Sequence, residues 1–171
     1  MNLKIIKYGS PILRKKSAEI TKNDNVAIIA EDLFRSLKKE GGLGLAGPQV
    51  GISKRIFVID TSLLAEEDAS NTKIEQAIVN PEIIWLSNEK EYYKEGCLSI
   101  PGIYEDVMRP KTIKVRYYDI NFKQKEERLE GIKARIFQHE FDHLEGILFI
   151  DRLTTLKRTL LSGKLIKIRK R

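Results

Sequence analysis

The sequence of 171 residues contains one cysteine, Cys97, and two histidines, His139 and His143. A single cysteine excludes an internal disulfide framework and is typical of proteins in a reducing compartment, so we expect a cytoplasmic protein. There is no run of about 18 apolar residues, which excludes a membrane-spanning helix. The N-terminus also lacks an apolar stretch long enough for a signal peptide. We therefore expect a globular protein with no membrane partner.

Acidic residues are absent after Asp151, whereas eight basic residues follow it. The residues up to Asp151 are close to electrically neutral, so the net charge of +7 belongs to the C-terminal end. This contrast divides the chain into a body, residues 1–151, and a basic C-terminal tail, residues 152–171. Three leucines of the tail recur at helical spacing: Leu153, Leu156 and Leu160. This spacing predicts that the tail is partly helical before Ser162-Gly163.

Hydrophobic periodicity predicts two main helices, at residues 25–39 and 132–145. Short apolar or alternating runs predict strands, and these runs are residues 56–59, 77–79, 83–86, 113–118 and 124–129. The high glycine content of residues 41–51 predicts a loop. The polar residues 61–76 are predicted to form a surface loop, and the apolar residues 147–150 a buried extended segment. Helices and strands do not alternate regularly, so we expect an α+β fold with antiparallel sheets packed around the second helix.

The second predicted helix carries the sequence His139-Glu140-Phe141-Asp142-His143, an H-E-x-x-H motif. On a helix, His143 lies about 40° round from His139 and one turn along, so both imidazoles can reach one ion. Glu140 lies about 60° beyond His143, where its carboxylate can act as a general base without binding the metal. The alternative is a surface helix on which the histidine pair only decorates a polar face.

A third metal ligand is needed, because catalytic sites usually combine three protein ligands with an open position for water. The chain has no third histidine, and the acids after His143, Glu145 and Asp151, lie too close in sequence to reach back easily. We therefore expect the third ligand upstream, at Cys97, whose thiolate is a strong ligand for zinc or ferrous iron. A buried cysteine with a purely structural role is the alternative.

Three segments resemble the motifs of peptide deformylases, in the same order and with similar spacing. They are Gly-Leu-Gly-Leu-Ala-Gly-Pro-Gln at 42–49, Glu-Gly-Cys-Leu-Ser at 95–99 and Gln-His-Glu-Phe-Asp-His at 138–143. The similarity runs from Gly9 to about Leu153, so it implies that residues 1–151 form the catalytic domain. One departure is Gly47, which stands where the family usually has alanine and which adds backbone freedom near Gln49.

The resemblance implies a metal-dependent amide hydrolase that removes the N-formyl group from the formyl-methionine of newly synthesised polypeptides and releases formate. It implies that Cys97, His139 and His143 bind one divalent ion, with water as the fourth ligand. The family favours Fe²⁺, with Zn²⁺, Ni²⁺ or Co²⁺ as replacements. Glu140 would take a proton from the water and later deliver it to the leaving amine.

The resemblance also implies how the substrate is held. The side-chain amide of Gln49 and the backbone N–H of Leu98 would stabilise the oxyanion that forms on the formyl group. Gly44, which has no Cβ, would let its backbone approach the substrate chain. Leu43 and Ile136 would line an apolar pocket for the methionine side chain, and core packing is the alternative role for both.

Two further positions carry supporting roles in the family. Glu95 would form an ion pair with Arg109 that holds the metal-binding strand, and two solvated charges are the alternative. Asp142 would accept a hydrogen bond from a ligand histidine, or it is a solvated carboxylate on the helix surface. Gln138 belongs to the motif, but the sequence suggests no role for it.

Three other functions remain as alternatives to an active deformylase. A zinc endopeptidase would need a third ligand other than Cys97. A non-catalytic RNA-binding protein is suggested by the basic tail, although the chain lacks aromatic-rich platforms. An inactive deformylase relative would retain the fold alone.

In similar bacterial enzymes the C-terminal segment helps the protein approach the ribosome. We therefore expect ribosomal RNA as a partner of the basic residues 152–171, and a solubilising role for these residues is the alternative.

Overall fold

The computed structural model describes residues 3–67 and 73–170. Within these ranges the chain forms four α-helices and seven strands, joined by three short 3₁₀ turns. In chain order they are α1 (Val26–Glu40), β1 (Gly44–Ala46), β2 (Ile56–Asp60), α2 (Ser62–Glu67), β3 (Glu75–Leu86), β4 (Lys90–Cys97), β5 (Ile100–Pro110), β6 (Thr112–Tyr118), β7 (Gln124–Glu130), α3 (Gly131–Leu144) and α4 (Thr155–Arg169).

Five strands form one sheet in the order β1-β2-β3-β6-β7, while β4 and β5 form a separate hairpin. All pairings between these strands are antiparallel. The predicted α+β class with antiparallel sheets is therefore confirmed. In the described part of the chain, no helix is long and apolar enough to cross a membrane.

The five-stranded sheet is covered on both faces, because alternate residues of a strand point to opposite sides. On one face, α3 packs Phe137 edge-to-face against Phe57 of β2, with 5.1 Å between the ring centroids. On the other face, α1 buries Leu33 and Leu37 against a cluster that includes Val58. Helix α3, which carries the two histidines, is thus the central helix that the sequence predicts.

The β4–β5 hairpin has its own apolar cluster, to which the C-terminal helix contributes. Helix α4 buries Leu161, Leu165 and Ile168 there, at helical spacings of four and three residues. The sequence predicted a partly helical tail before Ser162-Gly163. A helix is present at those residues, and it continues through Gly163 to Arg169. The buried stripe lies mostly beyond the glycine, and its burial offsets the helix propensity lost there, about 1 kcal/mol.

Two segments for which no helix or strand was predicted contain regular secondary structure among the described residues. Residues 41–51 contain β1, which pairs with β2, and a 3₁₀ turn, Gly47–Val50. The small residues of this segment let its backbone enter the core, where Leu45 is fully buried. Residues 61–76 contain α2 and the start of β3, and part of this range, residues 68–72, lies outside the described residues.

Other strand predictions need correction. The two short strands predicted at residues 77–79 and 83–86 are one strand, β3, bent at Asn80, which has a positive φ of 47°. The Asn80 side chain bonds the N–H and carbonyl of Ile20, which fixes this bend. The extended segment predicted at residues 147–150 turns into a 3₁₀ helix at Phe149.

Gly146, two residues after the end of α3, gives a test of how this helix ends. Its φ is +73°, and a Cβ there would lie 2.6 Å from the carbonyl oxygen of Arg14. The Gly146→Ala variant should lose about 3 kcal/mol of unfolding free energy, because left-handed backbone strain and a backbone clash add together. The measurement is urea denaturation, with Gly131→Ala as the matched control.

Gly131 has a similar φ, +57°, but no atom lies within 4 Å of the position that a Cβ would occupy. Gly131→Ala should therefore show only the backbone strain, about 1 kcal/mol. Equal losses in the two variants would contradict the account of Gly146 as a close contact between the end of α3 and the N-terminal segment.

Candidate metal centre

Three side chains meet beside α3 in an arrangement that suits a metal ion. His139 and His143 lie one helical turn apart, with 5.1 Å between their ring centroids, and Cys97 lies at the end of β4. One ligand atom from each of the three lies within 4.8 Å of the others. The Cys97 Sγ and the His143 Nε2 are 3.3 Å apart.

This donor set fits a divalent transition metal. A thiolate and two imidazoles are ligands typical of zinc and ferrous iron, and three protein ligands are typical of catalytic sites. Burial lowers the pKa of His143 well below its usual value, which favours the neutral form that ligation requires. The described residues provide this one group of three or more potential ligands within reach of a single ion.

Glu95 of β4 fixes the orientation of the His139 ring. Because a carboxylate only accepts hydrogen bonds, the His139 Nδ1–H donates to Glu95 Oε2, at 3.0 Å, and Nε2 is left free as a ligand. Arg109 donates to the same carboxylate through Nε (2.6 Å) and Nη2 (2.9 Å). Burial alone would raise the pKa of Glu95, but Arg109 and His139 outweigh burial and hold this pKa well below its usual range.

The sequence did not identify Arg135, which is also part of this network. Its Nη1 donates to Glu95 Oε1 and to the carbonyl of Val107, both at 2.9 Å. Its guanidinium also lies over the ring of Tyr93, 5.6 Å from the centroid. A signal was available, since Arg135 precedes His139 by four residues and therefore shares its helix face.

Asp142 does not accept a hydrogen bond from a ligand histidine, which corrects that expectation. Its carboxylate instead accepts from Arg109 Nη1 at 2.7 Å and from Arg152 at 2.5 and 2.6 Å. Asp142 therefore joins the hairpin to α3 and to the turn that follows it. Gln138 also has a structural contact, because its Nε2 donates to the carbonyl of Pro110 at 3.0 Å.

Glu140 is buried beside the histidines, with one carboxylate oxygen, Oε2, that has no hydrogen-bond partner among the described residues. Burial raises the pKa of Glu140 to about 7. The backbone of Gly44 lies against it, and a Cβ at Gly44 would be 2.6 Å from Glu140 Oε1 and 2.8 Å from Ile136 Cγ2. The glycine thus makes room for the carboxylate, a reason that the sequence did not suggest.

Gln49 points its amide group at Cys97. Its Oε1 accepts from the N–H of Ala46 at 2.8 Å, which fixes the orientation of the amide. Its Nε2 then lies 3.4 Å from Cys97 Sγ and 3.3 Å from Ser99 Oγ. Gly47 is buried, and a Cβ there would lie 2.6 Å from the carbonyl oxygen of Ile52, so this position is closely packed rather than loose.

A cavity of about 400 Å³ opens beside these groups. Its lining contains most of the predicted site residues, and these are Leu43, Gly44, Gln49, Glu95, Cys97, Leu98, Ile136, His139 and Glu140. Arg109 and His143 do not line the cavity and lie behind its wall, in contact with Glu95 and Cys97, respectively. One side of the cavity is apolar because Ile132 joins Leu43 and Ile136 there.

The sequence model for the family described as "Polypeptide deformylase" matches residues 2–159. The chain belongs to the polypeptide deformylase family. A peptide deformylase of Cytophaga hutchinsonii is 42% identical over 167 residues, which cover 97% of this chain and 90% of the relative. A peptide deformylase of Thermotoga petrophila is 45% identical over 162 residues, covering 94% and 93%.

Solved structures of deformylases share the fold over almost the whole chain. A Plasmodium falciparum peptide deformylase superposes with a TM-score of 0.88 at 41% identity, covering 98% of this chain and 95% of that one. A Legionella pneumophila peptide deformylase gives a TM-score of 0.86 at 35% identity, covering 99% and 96%. The chain is therefore a deformylase that hydrolyses the N-formyl group of formyl-methionyl peptides, which sets aside the endopeptidase and RNA-binding alternatives.

The contact between Gly44 and Glu140 gives a test of the deformylase site. The Gly44→Ala variant should fold but lose about 10²-fold in kcat/KM, because the new methyl group displaces the Glu140 carboxylate, and small misplacements have costs of this size. The measurement is formate release from formyl-Met-Ala. Gly163→Ala on α4, where no atom lies within 4 Å of a Cβ, is the control and should retain wild-type activity. A Gly44→Ala activity equal to that of the control would contradict the role of this contact.

Proposed function

We propose that Cys97, His139 and His143 bind one divalent metal ion in this deformylase, and that Fe²⁺ is the native ion. The observation that supports the ligand set is the convergence of a thiol and two imidazoles within 4.8 Å. The resemblance to the family favours iron, and Zn²⁺, Ni²⁺ or Co²⁺ are replacements that accept the same ligands. When bound, the ion supplies Lewis-acid chemistry, which makes a water molecule more acidic and polarises the formyl carbonyl.

In this proposal, the Glu140 carboxylate transfers a proton from the attacking water to the leaving amide nitrogen. Its Oε2 takes a proton from the attacking water, and the water oxygen then bonds to the formyl carbon. The same carboxyl group gives the proton to the amide nitrogen as the C–N bond breaks. The products are formate and a peptide with a free methionine amino group. A buried oxygen without another hydrogen-bond partner is well suited to this transfer, because it has no competing contact to break.

The oxygen of the formyl group gains negative charge during this attack. We assign its stabilisation to the Nε2–H of Gln49 and the backbone N–H of Leu98. Both donors border the cavity next to Cys97, and the Gln49 amide is held in place by its bond to Ala46. Donors that are fixed before the reaction stabilise developing charge without a cost of reorganisation. We further propose that Leu43, Ile132 and Ile136 receive the methionine side chain.

Replacement of Glu140 tests the proposed mechanism. The Glu140→Gln variant keeps the shape of the side chain but cannot accept the proton, so kcat should fall by about 10³-fold while one metal ion per chain remains bound. The measurements are formate release and metal content of the same anaerobic sample. A variant that keeps its metal and stays within about tenfold of the wild-type rate would rule out Glu140 as the general base.

We propose that residues 1–151 form the catalytic domain and that the basic tail, residues 152–171, contacts ribosomal RNA in the cytoplasm. The exposed surface of α4 and the residue that follows it support this, because they carry lysines that make no ion pair among the described residues: Lys164 and Lys167 on the helix, and Lys170 at its C-terminal end. The opposite stripe of α4 is buried on the hairpin cluster, so the lysines are held on a fixed helix. The positive charge of these lysines would attract the phosphate backbone of ribosomal RNA, close to where formylated chains leave the ribosome.

Charge substitution tests the tail without removing its buried stripe. A triple variant, Lys164→Gln with Lys167→Gln and Lys170→Gln, should weaken ribosome binding and reduce its salt dependence, with formyl-Met-Ala turnover unchanged. The control carries the same charge change on exposed lysines elsewhere, Lys22→Gln with Lys39→Gln and Lys90→Gln. The measurement is cosedimentation with ribosomes at several salt concentrations. Equal binding by the two triple variants would contradict a specific role for α4.

A further inference from the structure

Residues Ile6, Lys7 and Tyr8 lie between the two segments that supply the proposed oxyanion donors. The Ile6 N–H donates to the carbonyl of Gln49 at 2.7 Å. The Tyr8 N–H donates to the carbonyl of Ser99 at 2.8 Å. These two bonds tie the turn that carries Gln49 and the segment that carries Leu98 to one piece of chain.

Lys7 adds a side-chain contact at the centre of this bridge. Its Nζ donates to the carbonyl oxygen of Leu98 at 2.9 Å, across 91 positions of sequence. The carbonyl and the N–H of Leu98 belong to the two peptide groups that flank one Cα. Planarity fixes the Leu98 carbonyl relative to the Ser99 N–H, whereas the Leu98 N–H is joined to that carbonyl through the φ and ψ of Leu98. A held carbonyl therefore limits the position of the Leu98 Cα, and through the Cα the position of the Leu98 N–H.

The bridge is itself anchored at both ends. Leu3 donates its N–H to Ser36 Oγ of α1 at 3.1 Å. Tyr8 packs against the apolar cluster of the hairpin and α4. The next residue, Gly9, has a φ of +102° and lies so close to α4 that a Cβ would be 2.5 Å from Arg169 Cγ. The segment can therefore act as a fixed support and not as a free N-terminal arm.

We propose that Lys7 is a positioning residue, whose bond to the Leu98 carbonyl keeps the Leu98 N–H directed at the formyl oxygen. This inference rests on the proposed role of Leu98. Lys7 also lines the cavity, so a direct contact with the substrate is the competing role. The two roles differ in the kinetic constant that they change, because positioning acts on the transition state and a substrate contact acts on binding.

Three variants separate these roles. Lys7→Met keeps most of the side-chain stem but removes the donor, Lys7→Arg keeps a charged donor, and Lys4→Met removes a nearby exposed lysine that makes no hydrogen bond or ion pair among the described residues. For Lys7→Met we expect kcat to fall about three- to tenfold with KM unchanged, the size expected for one lost hydrogen bond. Lys7→Arg should recover most of the loss, and Lys4→Met should match the wild type.

Amide hydrogen exchange of the zinc-loaded proteins supplies a readout that does not depend on activity. In Lys7→Met, the amides of residues 98–100 should exchange faster than in the wild type, while those of β6 and β7 should not change. Lys7→Arg should restore the exchange of residues 98–100. The thermal midpoints of all four proteins, measured alongside, should agree, because the lost bond is local and solvent-exposed.

Several results would overturn the proposal. A rise in KM with kcat unchanged would mean that Lys7 contacts the substrate. A fall in kcat without faster exchange at residues 98–100 would mean that the ammonium does not act through Leu98. Identical behaviour of Lys7→Met and Lys4→Met would mean that the bond has no role. If the wild type itself released no formate, the proposed function would fail, while the exchange comparison would still decide whether Lys7 holds this segment.

Discussion

The buried carboxylate of Glu95 is the interaction on which the rest of the site depends. It accepts hydrogen bonds from Arg109, Arg135 and His139, which belong to β5 and α3, while Glu95 itself belongs to β4. Removing one partner of a buried ion pair typically costs about 3–5 kcal/mol, because the remaining charge loses its compensation. Glu95 therefore holds the hairpin against the helix and, through the same carboxylate, sets which nitrogen of His139 is available to a metal ion.

The other groups of the proposed mechanism reach the candidate metal site from separate parts of the chain. Gln49 comes from the turn after β1, and Glu140 fits only because Gly44 in β1 has no side chain. The N-terminal segment joins the Gln49 turn to the residues after Cys97. Asp142 extends the charged network to Arg152, just before α4. The site is thus formed jointly by α3, the five-stranded sheet and the β4–β5 hairpin. Each of these elements is held in place by a polar contact as well as by its apolar cluster.

The sequence was most informative where chemistry demands particular residue types at particular spacings. The scarcity of histidine, the spacing of His139 and His143 and the single Cys97 predicted three residues that the structure brings together. The α+β class and the helix that became α3 followed from hydrophobic periodicity. The long hairpin was missed because many of its residues, such as Tyr92 and Tyr104, are exposed and do not alternate cleanly.

Apart from the pair of Glu95 and Arg109, which the family resemblance implied, long-range pairing could not be predicted from one sequence. To predict the contact between Glu95 and Arg135, one would need to know that β4 lies beside α3. Local secondary-structure propensity contains no such information. The same holds for Asp142, since its partners Arg109 and Arg152 come from the hairpin and from the 3₁₀ turn after α3. The sequence also did not show why residue 44 is a glycine, because the reason is its contact with Glu140, which is distant in sequence. Burial and topology decide these contacts, and both appear only in three dimensions.

In the proposed mechanism, Cys97 completes the metal site on which formate release depends. The most direct measurement compares anaerobically purified wild type with Cys97→Ala, using metal analysis and a formyl-Met-Ala assay on the same samples. The account predicts one iron ion per chain and rapid formate release for the wild type, with both lost in the variant. A Cys97→Ala protein that retained a full complement of metal and a turnover close to that of the wild type would contradict it.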